Sequence, residues 1–346
     1  MTPTDQPRLA VRSPADLIAA VPYLLGFHPA DSVVVVAMRG RRVVFAARGD
    51  LPGPGADPQP AARHLAEVVA RQGTESATVI GYGPATRVTS AVDAVGEALD
   101  GAGLLVLDAL RVSDGRWWSY LCTEPECCPP DGTPYDPGAS RVSAAAVFAG
   151  QVALPDRAAL TAQVSALDGP VRVAMRRATV RARGRLAALT PEATGTGTAG
   201  SRSVRSAGVA AVRTAFRRHR RGQRLTDDEA AWLTVLLGQL SVRDHAWERT
   251  DGRDADISLW TDVLRRAEPE LIAAPGSLLA FASWRAGYGA LAAVALERVL
   301  AAHPDYSLAV LLDDLLRRGL PPSELDGWPE VGGAAVLRRR RRRPGR

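Results

Sequence analysis

Lysine is missing from this chain: all 43 of its basic residues are arginine. That usage fits a GC-rich coding sequence, and it favours bidentate contacts to phosphate and carboxylate wherever a cation is needed. Cysteine is nearly missing as well, at three in 346 residues. An odd count so low argues against a disulfide framework and for a compartment in which thiols stay reduced. Long apolar runs are also lacking. The longest fall short of the roughly 20 residues that a membrane-spanning helix needs, and Pro22 interrupts the one over residues 17–27, so no membrane partner is expected. Early prolines and Asp5 stand where a secretory signal would carry a basic stretch and an apolar one. A cytoplasmic protein is the expectation.

What is present is the composition of a soluble globular chain, 46% hydrophobic and 23% charged, long enough for two or three domains. The charge is segregated. Residues 338–346 hold seven arginines and no acid, residues 171–224 hold fourteen arginines against Glu192 alone, and the remainder is net acidic. The isoelectric point near 9.8 therefore describes basic segments set in an acidic frame. Such segments meet either acids of the same chain or an external polyanion.

Along the chain, Ser13 and Pro14 read as N-cap and first turn of a helix through Leu17–Val21 that Pro22 should stop. Ser32–Met38 and Arg42–Ala47 read as a hairpin turning at Arg39-Gly40. Helical spacing over 61–72 and 86–100 alternates with apolar strands at 77–80 and 104–108, and the β-α-β pattern predicts an α/β domain. Trp117–Leu121 adds a strand, and Arg141–Ala149 a closing helix. From about residue 155 only helical periodicity is left. Val204, Gly208, Ala211, Val212, Ala215 and Phe216 line one face of an arginine-rich helix. Thr226-Asp227-Asp228-Glu229 is a capping box opening a helix striped by Trp232, Leu233, Leu236, Leu237 and Leu240. Further helices are expected near 256–267, 277–286, 290–302 and 307–318. The segment Trp284–Pro304 resembles the core of a tetratricopeptide repeat, with Gly287, Ala292 and Val299 at close-approach positions.

The expected architecture is an α/β N-terminal domain, a mixed sheet with flanking helices, followed by an all-α C-terminal domain with tetratricopeptide-like packing. Its boundaries are a disordered start (1–12), the α/β domain (13–153), a helical connector (154–190), a flexible linker (191–203), the helical domain (204–330) and a disordered arginine-rich tail (331–346).

All three cysteines lie in the block Arg116-Trp117-Trp118-Ser119-Tyr120-Leu121-Cys122-Thr123-Glu124-Pro125-Glu126-Cys127-Cys128-Pro129-Pro130-Asp131-Gly132. Cys122-x4-Cys127 is near zinc-ligand spacing and Cys128 adds a third thiolate, while a lone activated thiol would be a nucleophile or redox centre. Small buried core cysteines are the expected reading, since no second Cys or His pair completes a zinc ribbon. Together with Val21-Pro22-Tyr23-Leu24-Leu25-Gly26-Phe27-His28-Pro29-Ala30-Asp31-Ser32-Val33-Val34 and the Trp284–Pro304 helix pair, this block resembles an uncharacterised actinobacterial family known as domain of unknown function 4192, over roughly residues 13–330. The resemblance implies a bacterial cytosolic setting and no particular reaction, cofactor or partner.

Three further sites suggest themselves. His28 with Asp31 offers an imidazole beside a carboxylate, as a general base needs, though a turn capped by Asp31 is the plainer reading. Gly81 and Gly83 before a helix, with Asp108 ending the next predicted strand, outline a dinucleotide site that lacks its third glycine. Arg217, Arg218, Arg220 and Arg221, with Arg338, Arg339 and Arg340 in the tail, could hold a nucleic acid or other polyanion without reading its sequence, or pair with Asp227, Asp228 and Glu229. Two functions are expected to compete: a non-catalytic adaptor whose helical surface takes a protein partner, and a thiol- or zinc-dependent enzyme centred on Cys122, Cys127 and Cys128.

Overall fold

The structure, a computed structural model, describes residues 11–40, 42–190 and 198–325. These form two compact units. The first comprises residues 11–165 and 283–321, the second residues 166–282 with 322–325. The terminal segments read as disordered lie outside the described residues apart from 11–12, as do the tail arginines and residues 191–197 of the expected linker.

The first unit opens with α1 (Pro14–Leu25), capped by the Ser13 hydroxyl, which accepts from the Asp16 N–H. Pro22 lies inside this helix and does not end it. Leu17, Ile18 and Val21 bury against the sheet, and that burial outweighs the one backbone bond a proline forfeits. The helix stops four residues later, at Gly26 with φ +82°. Then follow β1 (Ser32–Arg39), β2 (Arg42–Asp50), α2 (Gln59–Ala70), β3 (Ser76–Tyr82), α3 (Ala85–Gly101), β4 (Leu105–Ser113), β5 (Arg116–Ser119), β6 (Thr133–Pro134), α4 (Arg141–Phe148) and α5 (Arg157–Val164).

The strands make one mixed sheet in the order β2-β1-β3-β4-β5-β6, with β3 and β4 its only parallel pair, joined through α3. Both faces are covered, which is why β1 is buried from Ser32 to Met38. Val33, Val35, Ala37, Ala77 and Val79 meet Leu65 and Val69 of α2 and Val88, Val92 and Leu99 of α3. Val34, Val36, Met38, Ile80, Leu110 and Trp117 meet α1 on the other side.

The helical region continues with α6 (Pro170–Leu189), α7 (Thr198–His219), α8 (Asp227–Leu237), α9 (Leu240–Arg249), α10 (Asp254–Arg266), α11 (Ala273–Arg285), α12 (Gly289–Ala302) and α13 (Ser307–Arg317). No described helix is long and apolar enough to cross a membrane. The second unit packs Leu233, Leu236, Leu259, Trp260, Val263 and Leu278 at its centre, with Phe216 edge-on to Trp260 at 5.8 Å. The Thr226–Glu229 capping box forms reciprocally. Leu240 does not extend the stripe of that helix: the chain tightens at Gly238, and Leu240 opens α9, 66% exposed.

The tetratricopeptide-like segment is a helix–turn–helix, with Gly287 at φ +84° and Ala292 and Val299 buried. Its second helix, with α13, lies in the sheet unit. The Arg71 guanidinium donates to the Arg318 carbonyl, Gln72 Nε2 donates to the Gly319 carbonyl at 2.7 Å, and Arg157 pairs with Glu297.

Candidate metal centre

The cysteine block forms the connection between β5 and β6, and side chains of the sheet hold both of its ends. At the entry, the Ser119 hydroxyl donates to Asp108 Oδ1 at 2.7 Å and accepts from the N–H groups of Leu121 and Cys122. Tyr120 is tied by its N–H to the Ala109 carbonyl and by its hydroxyl to Thr89 of α3. At the exit, Trp118 Nε1 donates to the Pro130 carbonyl at 3.0 Å, and Arg116 donates to the carbonyls of Asp131 and Gly132. The Arg111 guanidinium stacks on the Trp118 ring at 3.6 Å. Gly132, at φ +78°, passes so close to that ring that a Cβ would lie 2.4 Å from Cε2. Only glycine fits there.

Between these anchors the Glu124 carbonyl accepts from the N–H groups of Cys127 and Cys128, folding the chain back on Cys122. Cys122 Sγ lies 3.1 Å from Cys127 Sγ, which lies 3.8 Å from Cys128 Sγ, and all three fall within 4.8 Å of one another. Cys127 is exposed and the other two are half-buried. The expectation of core thiols is therefore corrected. β5 ends at Ser119, so the chain has left the sheet before Cys122, and none of the three thiols is fully buried among the described residues.

The three thiols share charge unequally. Hydrogen bonds from Cys128 and Cys127, then from the Glu124 backbone, lower the pKa of Cys122. Cys127 is raised, chiefly because it donates to Cys122, and Cys128 is pushed up to about 12 by its own hydrogen bond to Cys122 and then by burial. Cys122 is therefore the thiol that loses its proton most easily, and a bound cation would favour ionisation of the other two. Bonds of about 2.3 Å at tetrahedral angles place sulfurs about 3.8 Å apart around zinc. The Cys127–Cys128 separation already matches, and the Cys122–Cys127 pair must open by about 0.7 Å. The donor set fits a thiophilic ion. Among the described residues no fourth ligating side chain joins the cluster.

A family model described as Domain of unknown function (DUF4192) matches residues 14–323, the cysteine loop included. The chain belongs to this family. No curated protein and no solved structure shows significant similarity to it.

The other residues singled out in this DUF4192 chain are placed elsewhere. His28 is exposed, its N–H bound to the Leu154 carbonyl, and it is not among the ligand atoms gathered at the thiols. Asp31, at φ +42°, pairs with Arg87 at 3.8 Å and not with His28. Gly81 is a packing residue: a Cβ there would stand 2.0 Å from Val88 Cγ1. Gly83 donates its N–H to the Val112 carbonyl. Asp108 does not end its strand, because β4 runs on to Ser113. It sits opposite Thr78 in mid-sheet, with one oxygen taken by Ser119 and the Ala109 N–H. A ribose-binding acid would stand at the strand's end.

Of the helical arginines, Arg218 pairs with Glu229 at 3.0 Å and Arg220 with the buried Asp256 at 3.6 Å. Arg217 donates to Thr214, and Arg221 is exposed. Asp228 and Asp227 take Arg181 and Arg266 instead. Sequence reasoning missed Ser119, Arg116, Trp118 and Gly132, the residues that shape the loop. The signal was in plain view, a Trp-Ser pair and a Pro-Pro-Asp-Gly turn flanking the thiols.

Proposed function

We propose that this chain is a zinc-binding protein whose exposed loop between β5 and β6 is organised by a metal ion held on Cys122, Cys127 and Cys128. The observation that carries the reading is the convergence of three surface thiols within 4.8 Å on a loop anchored at both ends. Thiols brought together at the surface add nothing to a hydrophobic core, whereas three thiolates more than offset the charge of a divalent cation and bind it strongly. The scarcity of cysteine elsewhere suits a reducing bacterial cytoplasm, where the cluster stays available to metal.

Binding is favoured over catalysis. Three thiolates give the zinc site a net negative charge and blunt its Lewis acidity, and the imidazole–carboxylate pair sought at His28 and Asp31 does not come to the thiols. The metal-ordered loop, more than the helical surface, then presents the recognition element. Its fourth coordination position is open to water or to a donor from another molecule.

Protein purified under reducing conditions should carry about one zinc per chain by elemental analysis and keep it through dialysis. Cobalt substitution should give thiolate charge-transfer absorption. Cys127→Ser and Cys128→Ser should each lose most of the metal while retaining the helical circular dichroism of the parent. Fully reduced protein that takes up no zinc or cobalt on reconstitution would refute the reading.

A further inference from the structure

We infer that Cys122 and Cys127 form a site of reversible oxidation, closing to an intramolecular disulfide on exposure to a peroxide. Their sulfurs are 3.1 Å apart, the shorter of the two contacts that Cys127 makes with another thiol, and Cys127 is open to solvent. A disulfide bond of about 2.05 Å needs a closure of roughly 1 Å, within the reach of side-chain rotation in an exposed loop.

Two other pairings compete: Cys122–Cys128 would use the half-buried thiol of Cys128 in place of the exposed one of Cys127, and Cys127–Cys128 is disfavoured by backbone geometry. Adjacent α-carbons across a trans peptide stand about 3.8 Å apart, below the range of about 4.4–6.8 Å that disulfides span, and the described chain contains no cis peptide at Cys127-Cys128. Four residues lie between Cys122 and Cys127, and the turn on the Glu124 carbonyl already faces them toward each other.

The chemistry balances with hydrogen peroxide as oxidant. One thiolate attacks an oxygen, the O–O bond breaks, and sulfenic acid and hydroxide form, the latter leaving as water with a proton. The second thiol displaces the sulfenic oxygen, also as water, so two thiols and one peroxide yield a disulfide and two waters, each sulfur losing one electron. Cys128 is left as a free thiol. The consequence for metal rests on the zinc reading: with two of three thiolates consumed, zinc leaves without change of oxidation state.

The test treats reduced full-length chain, metal-free and zinc-loaded, with hydrogen peroxide at a few equivalents. Peptide mapping should find the Cys122–Cys127 disulfide with Cys128 alkylatable, and dithiothreitol should reverse it. Cys128→Ser should form the same disulfide, whereas Cys122→Ser and Cys127→Ser should not. The zinc-loaded protein should release its metal to a chromogenic chelator in step with disulfide formation. Disulfide formation in a protein that never binds zinc would leave this inference standing and remove the metal reading. Stepwise oxidation of Cys127 alone to sulfinic acid, disulfides between chains, or loss of the disulfide in Cys128→Ser would overturn it.

Discussion

Replacing Gly81 by alanine should destabilise the sheet unit by about 3 kcal/mol, although it adds a single methyl group. The added carbon would stand 2.0 Å from Val88 Cγ1 and 2.8 Å from Val92 Cγ2, where ordinary carbon contacts are about 3.5–4.0 Å. Both valines are buried on α3, and β3 has no room to retreat because it lies between β1 and β4. The helix must back away or twist, and overpacking of that kind costs about 1–3 kcal/mol, occasionally more. The upper end is expected because two side chains are struck at once. Val88→Ala alone removes two buried methyl carbons, worth about 0.8 kcal/mol each plus a cavity contribution, so about 2 kcal/mol. In the double variant the nearest surviving atom of residue 88 is Cβ at 3.4 Å, an ordinary contact, while Val92 still presses. The combined loss should therefore fall short of the sum by about 1 kcal/mol or more. Urea unfolding by circular dichroism, with a thermal midpoint expected to drop by about 6–12 °C for Gly81→Ala, measures each term. A single variant within about 0.5 kcal/mol of the parent, or strictly additive losses, would refute the packing argument and return Gly81 to the ligand-binding role its sequence suggested.

The second unit offers two more tests. Arg266 is 6% exposed and donates to the Leu225 carbonyl, Asp227 and Asp262, so Arg266→Ala should cost about 3–5 kcal/mol by stranding a buried carboxylate; a loss under about 1 kcal/mol would show that water replaces the guanidinium freely. His219 is buried beside Asp262, Arg266 and Arg224, and burial holds its pKa below the ordinary 6.5. The unfolded chain therefore binds the proton first, and stability should decline as pH falls from about 6.5 toward the lower folded value. His219→Gln should flatten that decline in urea midpoints taken between about pH 7.5 and 5, and parallel curves for parent and variant would contradict the assignment.

What the amino-acid order determined by itself is local. The hairpin at Arg39-Gly40, the Ser13 cap and the Thr226–Glu229 capping box each depend on neighbours within a few residues, and each formed where periodicity and capping chemistry placed it. The mixed sheet followed by helices was legible for the same reason. Pro22 and Leu240 mark the edge of that legibility, because a helix's end there is decided by what its apolar face meets and not by the residue at the end.

The tertiary structure decided whatever depends on residues far apart. β4 outran its apolar run because β3 pairs with it up to Val112 and β5 up to Ser113, and so Asp108 became the anchor of Ser119 in mid-sheet. Residues 71 and 318 meet across 247 positions, which no periodicity announces. The cysteine loop stands between the two regimes. Its position in the chain and its Pro-Pro-Asp-Gly turn were readable, but the exposure of the thiols depends on β5 ending at Ser119, and their convergence on Trp118, Arg116 and Asp108 fastening both ends of the loop. Spacing can bring three sulfurs near each other along the chain; only a folded sheet can hold the two ends of a loop so that they meet.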